Sequence, residues 1–163
     1  EESLRAAEGL SGSARARALM GAYRNFPRGK AFAVHYEALR AEIARLDTAN
    51  ETGIMEEVQV LEQAERFTAE RAGVPFATPA YGALLERQLA EALPANRAAV
   101  MMERCQHSLG MADSVEELEA TRRLFEECLP YLPEEEAAST RAFLELHFKD
   151  LPALLRTLRN SRR

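Results

Sequence analysis

The sequence lacks most of the features that would reveal a function directly. It contains no apolar run long enough to cross a membrane and no recognisable signal peptide. β-branched residues are few, and prolines are scarce outside the joints between segments, so no strands are predicted. Without strands there is no place for the glycine-rich phosphate loop that connects a strand to a helix. The net charge of −5 argues against nucleic acid as the main partner.

The residues that are abundant favour helices. Hydrophobic residues make up 47% of the 163 residues, and Ala, Leu, Glu and Arg dominate. The sequence therefore predicts an all-α fold of about eight helices in antiparallel hairpins, either as an α/α stack or as a compact bundle. We expect one helical domain over residues 1–163, in which 1–12 form a short helix or a loose arm and 73–79 form an internal joint.

The stretch from Pro94 to Pro133 predicts a helical hairpin. Gly110 is predicted to end the first helix, and Ser114 with Glu117 is predicted to form a capping box at the start of the second. The loop between them is short, so the two helices should be antiparallel. Apolar residues at helical spacing line both helices: Ala98, Met101, Met102, Cys105 and Leu109, then Val115, Leu118, Phe125, Cys128 and Leu132.

The flanking segments show the same periodicity. Helices are predicted from Arg28 to about Asp47, after a break at Pro27 and Gly29, and from Ile54 to about Ala72. Further helices are predicted from Pro79 to Leu93 and from Glu134 to about Phe148, with a short last helix capped by Asp150. The helix after Arg28 carries a heptad-like stripe that is assigned to core packing: Phe32, Tyr36, Leu39, Ile43 and Leu46.

One helix resembles a known repeat family. Thr121, Phe125, Cys128, Leu129 and Pro133 match the spacing of the second helix of a tetratricopeptide-like helical-hairpin repeat. The resemblance covers that helix alone. It implies a stacked helical scaffold that binds another protein, and it implies no catalytic residue.

Charge is unevenly distributed along the C-terminal third. Nine acidic and two basic residues lie between Asp113 and Glu136, whereas six basic and two acidic residues follow up to Arg163. Solvated helix faces explain this pattern. A contact between the acidic face and the basic tail is the more specific alternative.

No metal or nucleophile site is predicted. Cys105 and Cys128 fall on opposite helices of the hairpin with an axial offset of roughly 13 Å, so they are predicted to be unpaired and buried thiols. His35, His107 and His147 have no second histidine or cysteine one turn away, and they are interpreted as structural or surface residues. The polar joint 47–53 lacks the ligand order of a calcium loop and is interpreted as caps and turns.

The function predicted from these features is protein binding. Met101 and Met102 give the hairpin an adaptable apolar face. Together with the charged Glu126, Glu127, Arg156 and Arg159, they form the candidate partner-binding surface. The sequence favours a non-catalytic scaffold or interaction module that binds another protein or a peptide, with no cofactor. The alternatives are an all-α enzyme or ligand-binding bundle, and an extracytoplasmic domain of a larger redox or transport protein.

The chain begins with Glu1 rather than methionine. We therefore expect a processed product or a part excised from a longer chain, located in the cytoplasm or outside it after removal of a signal. The sequence does not predict an oligomeric state.

Overall fold

The computed structural model describes residues 2–25, 33–50 and 52–163, and its elements are all helical. The prediction of an all-α fold is therefore confirmed over the described residues. They form nine α-helices: α1 (Glu2–Ala6), α2 (Gly12–Asn25), α3 (Ala33–Leu46), α4 (Ile54–Ala72), α5 (Pro79–Glu91), α6 (Pro94–Met111), α7 (Val115–Cys128), α8 (Glu134–His147) and α9 (Leu151–Ser161). A short 3-10 turn, Leu129–Tyr131, follows α7.

The chain divides into two compact units, Glu1–Glu62 and Gln63–Arg163, and the boundary falls inside α4. The expected joint at 73–79 lies within the second unit. The break predicted at Pro27 and Gly29, the helix start at Arg28 and the stripe residue Phe32 lie outside the described residues. The side chains of His35 and Tyr36 also lie outside the described part of the chain.

The first unit is built around one apolar cluster. Tyr23 on α2 and Ile43 on α3 are fully buried, and they pack together with Val58 at the start of α4. Ala7, which follows α1, is 2% exposed and belongs to the same cluster. The N-terminal residues therefore form a short helix that packs against α2, one of the two states expected for 1–12.

The polar joint after α3 is a turn. The amide of Asn50 donates to the carbonyl oxygen of Asp47 at 2.9 Å, and Asp47 Oδ2 accepts from the amide of Thr52 at 3.2 Å. Asn50 and Gly53 adopt φ values of 51° and 69°, in the left-handed region where Asn and Gly are tolerated. The oxygens of Asp47 therefore serve the backbone of the turn, as the sequence predicts for a cap.

Three helices of the second unit begin at side-chain caps. Thr78, Ser114 and Asp150 precede α5, α7 and α9, and each accepts a hydrogen bond from the amide three residues later. In a capping box, the carboxylate of Glu117 would accept a hydrogen bond from the amide of Ser114. Here it accepts from the amide of Asp113 instead, at 2.6 Å.

The prediction that Gly110 stops α6 is wrong. The helix continues to Met111, and Gly110 is not among the described glycines with positive φ. A Cβ at Gly110 would lie 3.1 Å from Cε1 of Phe76. The glycine is therefore explained by the close approach of the Phe76 ring rather than by a left-handed helix end.

Helices α6 and α7 contact each other along their length. Ser108 Oγ and Thr121 Oγ1 are 2.6 Å apart, and Cys128 Sγ lies 4.0 Å from the carbonyl oxygen of Ala98. Positions earlier in α6 thus contact positions later in α7. The hairpin arrangement of the remaining helices, and the choice between a stack and a bundle, stay predictions.

A buried amide joins α4 to α5. Gln88 is 1% exposed. Its Nε2 donates to the carbonyl of Phe67 at 3.1 Å and to the carboxylate of Glu70 at 3.0 Å. Its Oε1 accepts from Arg71 at 2.8 Å. All of the hydrogen-bonding atoms of this buried amide are therefore used, which fixes how α5 lies against α4.

The C-terminal arginines bind the end of α6. Arg159 donates to the side chain of Asp113 at 2.8 Å and to its carbonyl at 2.7 Å. Arg162 donates to the carbonyls of Gly110 and Ala112 at 2.7 and 2.9 Å. The guanidinium groups thus satisfy carbonyls at a helix C-terminus, where positive charge is favourable. We call these contacts the arginine clasp.

None of the described helices combines the length and the apolar character that crossing a membrane would require.

Candidate functional site

The most apolar of the described pockets lies between α6 and α8. It has a volume of about 380 Å³, and we call it the α6–α8 pocket. Met102, Gln106 and Leu109 line it from α6; Ser139, Thr140 and Phe143 line it from α8; and Phe125 contributes from α7. None of these side chains is ionisable. The pocket therefore suits an apolar group and offers no acid or base for chemistry.

Phenylalanine rings hold the pocket in shape. The ring of Phe143 lies 5.6 Å from that of Phe125 and 5.9 Å from that of Phe148, in tilted or edge-on contacts. Phe125 and Phe148 are 4% and 2% exposed, whereas Phe143 is only half-buried. Two buried rings thus position a third at the surface, so the pocket is formed before any ligand arrives.

The surface on the α6 side of the pocket is poor in charge. The exposed face of α6 carries Ala95, Ala99 and Gln106, which follow one another at about helical spacing. On α8, Leu146 is 61% exposed, one turn beyond Phe143. Exposed apolar surface of this kind marks an interaction site more often than a catalytic one.

The structure separates the residues of the predicted partner-binding surface. Met101 and Met102 are half-buried against the cluster around Cys105, and Met102 lines the α6–α8 pocket. Glu126 lines a different pocket and pairs with Arg122 at 2.9 Å.

Of the other three residues in that surface, Glu127 and Arg156 are exposed, and Arg159 belongs to the arginine clasp. Arg159 is therefore occupied within the chain. Its contact with Asp113 joins the acidic stretch to the basic tail at one point, as in the alternative to solvated helix faces.

Cys105 and Cys128 are buried free thiols that share one apolar cluster. Burial, together with the neighbouring Cys128, raises the pKa of Cys105 to about 12, and burial also raises the pKa of Cys128. At neutral pH both are therefore protonated, and a protonated thiol is a poor nucleophile and a poor metal ligand.

His107 is a residue whose surroundings the sequence did not predict. It is 9% exposed, and its Nε2 lies 3.0 Å from the carbonyl oxygen of Thr78. The ring stacks on Tyr81 and meets the edge of Phe76, with ring centroids 5.4 Å apart in both pairs. A Cβ at Gly82 would lie 3.0 Å from its Cε1. The absence of a side chain at Gly82 therefore makes room for the imidazole.

Tyr81 completes this aromatic group. Its hydroxyl donates to Glu103, and burial, helped by that hydrogen bond, raises its pKa to about 12. Tyr81 thus keeps its proton and acts as a hydrogen-bond donor rather than as a base.

The other histidines and the possible metal ligands remain dispersed. His147 is exposed and lies 4.9 Å from the ring of Phe143, as expected for a surface residue. Within residues 2–25, 33–50 and 52–163, no three His, Cys, Asp or Glu side chains cluster as a metal site would require.

Comparisons with protein families, with curated proteins and with solved structures find no match to this chain. The function has to be argued from the pockets themselves.

Proposed function

We propose that the chain is a helical interaction module that binds an amphipathic helix of another protein in the α6–α8 pocket. The observation that carries the proposal is the lining of this pocket, where Met102, Leu109, Phe125 and Phe143 meet without an ionisable group. A large apolar side chain of the partner would fill the pocket as an anchor.

The walls of the pocket fit a helix better than an extended peptide. The exposed residues on the Met102 face of α6 include Ala95, Ala99 and Gln106, whose small or uncharged side chains let a second helix approach closely. A sheet edge is one surface that hydrogen-bonds the backbone of an extended peptide, and the described elements contain no strand.

Charge at the pocket's border indicates the character of the partner. Glu136 lies one turn before Ser139 and Thr140 on α8 and is exposed, whereas Ala95, Ala99 and Gln106 on the facing side of α6 are uncharged. We expect the bound helix to carry a basic residue within a turn of its apolar anchor. The resemblance of α7 to a tetratricopeptide-like helix supports the same class of function.

Selection from a displayed library of helical peptides tests the proposal. Wild-type chain is immobilised, and the enriched peptides are measured against Ser139→Arg and Gln106→Arg, which place a charged side chain at the mouth of the pocket without altering its apolar residues. We expect enriched peptides with aromatic or aliphatic anchors at helical spacing, and binding about tenfold weaker or worse to both variants.

The matched control is Ala138→Arg. Ala138 is exposed on α8 beside Ser139 but does not line the pocket, so this arginine should leave the affinity within about twofold of wild type. Enriched peptides that bind wild type, Ser139→Arg and Gln106→Arg equally would place the binding site elsewhere, and a library that yields no binder would contradict the proposal.

A further inference from the structure

A second groove, between α5, α6 and α7, is lined by several hydrogen-bond acceptors and by one charged donor, Arg104. It has a volume of about 460 Å³ and is lined by Gly82, Glu86, Arg104, His107, Ser108 and Glu117, among others. This groove shares no lining residue with the α6–α8 pocket. We call it the His107 groove.

The imidazole of His107 presents an acceptor to this groove. The carbonyl oxygen of Thr78 can only accept, so the Nε2 atom 3.0 Å away must carry the proton. In the neutral ring Nδ1 is then an acceptor, and no described residue donates a hydrogen bond to it. A buried imidazole with a fixed donor on one side and a free acceptor on the other is preorganised to bind a donor.

Ser108 also presents an acceptor. Thr121 Oγ1 lies 2.9 Å from the carbonyl of Glu117, which can only accept, so the proton of Thr121 points to that carbonyl. The 2.6 Å contact between Ser108 and Thr121 must therefore use the proton of Ser108. The lone pairs of Ser108 Oγ remain available on the side of the groove.

The charged side chains leave the groove with excess negative charge. Arg104 pairs with Glu86 at 2.6 Å, so these two charges compensate each other. The carboxylate of Glu117 accepts from the amide of Asp113 but has no cationic partner among the described residues. The groove thus contains one uncompensated carboxylate together with the acceptor atoms of His107 and Ser108.

Apolar side chains form the rest of the wall. Met111, 36% exposed, lines the groove together with Ala120 and Leu124. We propose that the His107 groove binds a protonated amine attached to an apolar group. The ammonium donates to His107 Nδ1, Ser108 Oγ and the Glu117 carboxylate, and the apolar body contacts Met111 and Leu124.

Calorimetric titration with matched small molecules tests the charge requirement. The probes are 2-phenylethylamine, the neutral 2-phenylethanol and the anionic 3-phenylpropionate, all near neutral pH. The amine binds, the alcohol binds at least about tenfold more weakly, and the carboxylate does not bind. Equal or tighter binding of the carboxylate, or no binding of any amine, overturns the proposal.

A lysine-containing peptide in the same titration distinguishes two sources of the amine. The probe is an acetylated and amidated tripeptide, Leu-Lys-Leu, with Leu-Gln-Leu as its control. Tighter binding of the lysine peptide than of 2-phenylethylamine assigns the groove to a lysine side chain of a partner protein. The reverse order assigns it to a free small amine, and both orders support the amine site.

Two variants test the residues themselves. Glu117→Gln keeps an acceptor for the amide of Asp113 but removes the charge, and it lowers amine affinity about tenfold. Gly82→Ala puts a methyl group 3.0 Å from Cε1 and 3.4 Å from Nδ1 of His107, so the ring must shift, and the variant lowers amine affinity by a similar factor. The control is Glu119→Gln, an exposed α7 residue that does not line the groove.

The imidazole gives a readout that does not depend on affinity alone. Nitrogen NMR of His107 distinguishes the protonated Nε2 from the unprotonated Nδ1. Saturating amine shifts the Nδ1 resonance, and the other resonances of the folded protein do not change. An Nδ1 resonance unmoved at saturation, or unchanged amine affinity in both Glu117→Gln and Gly82→Ala, overturns the assignment.

Discussion

At the scale of single residues, burial separates the side chains that hold the fold from those available for binding. Phe125 is 4% exposed and contacts the rings of Phe143 and Phe148, whereas Leu146 is 61% exposed. Both are large and apolar, so the sequence alone gives them similar weight. The difference comes from which face of its helix each residue occupies.

Phe125→Ala should lower the free energy of unfolding by about 3–5 kcal/mol, because it removes a ring from a packed cluster and leaves a cavity. Leu146→Ala is the matched control and should cost less than about 1 kcal/mol. Urea denaturation followed by circular dichroism measures both. Similar costs for the two variants would mean that Phe125 is not part of the core.

Cys105 and Cys128 should be present as two reduced thiols that react only when the chain unfolds. The pKa of Cys105 is raised to about 12 by burial, so its thiolate is scarce at neutral pH, and buried sulfur is also shielded from reagent. Titration with a thiol reagent, without reductant, should find no rapid reaction in the native protein and two thiols in denaturant. No titratable thiol in denaturant would show a disulfide and a different register of α6 and α7.

At the scale of helices, some helix ends can be predicted from the sequence and others cannot. The caps at Ser114 and Asp150 follow from the sequence because an N-cap requires only a side-chain oxygen and a nearby amide. The end of α6 was not readable. It depends on the ring of Phe76 and on Arg162, which are distant in sequence from Gly110.

Ser114→Ala should destabilise the protein by about 1 kcal/mol, since the amide of Glu117 loses its cap. Ser139→Ala, an exposed serine inside α8, makes the same chemical change without a cap and should stay within about 0.5 kcal/mol of wild type. Thermal unfolding of the two variants side by side measures the difference. Equal stability would mean that the side chain of Ser114 does not cap α7.

The arginine clasp should give stability a distinct dependence on pH. The hydrogen bond from Arg159 and the charge of Arg159 lower the pKa of Asp113. The contact therefore stabilises the fold above the unfolded pKa of about 4. This stabilisation is lost as the pH falls through the pKa of Asp113 in the folded protein. Arg159→Gln should therefore be less stable than wild type near neutral pH, with a difference that shrinks in acid.

Arg156→Gln is the control for the clasp, because Arg156 is exposed on the same helix and makes no described ion pair. It should match wild type at every pH. A loss in Arg159→Gln that is the same at neutral and acidic pH would show that the arginine acts through packing or through the backbone carbonyl of Asp113, and not through the carboxylate.

At the scale of the whole molecule, the fold class followed from the sequence because helical periodicity is a local property. The predicted helices Ile54–Ala72 and Glu134–Phe148 agree with α4 and α8 to within one residue. The α6–α8 pocket and the His107 groove did not follow from the sequence. Gly82 and His107 lie on different helices, and Met102 meets Phe143 only after α6 and α8 have come together.

Far-ultraviolet circular dichroism should show an almost wholly helical spectrum, since the described residues form helices joined by short turns. A substantial strand contribution would contradict the fold itself, before any question of function arises.

Methionine methyl NMR tests the central proposal, helix binding in the α6–α8 pocket, most directly. Met102 lines that pocket, and Met111 on the same helix lines the His107 groove instead. With carbon-labelled methionine methyl groups, titration with a peptide enriched from the helical library should shift the Met102 resonance and leave that of Met111 in place. A shift at Met111 with Met102 unmoved would contradict the account.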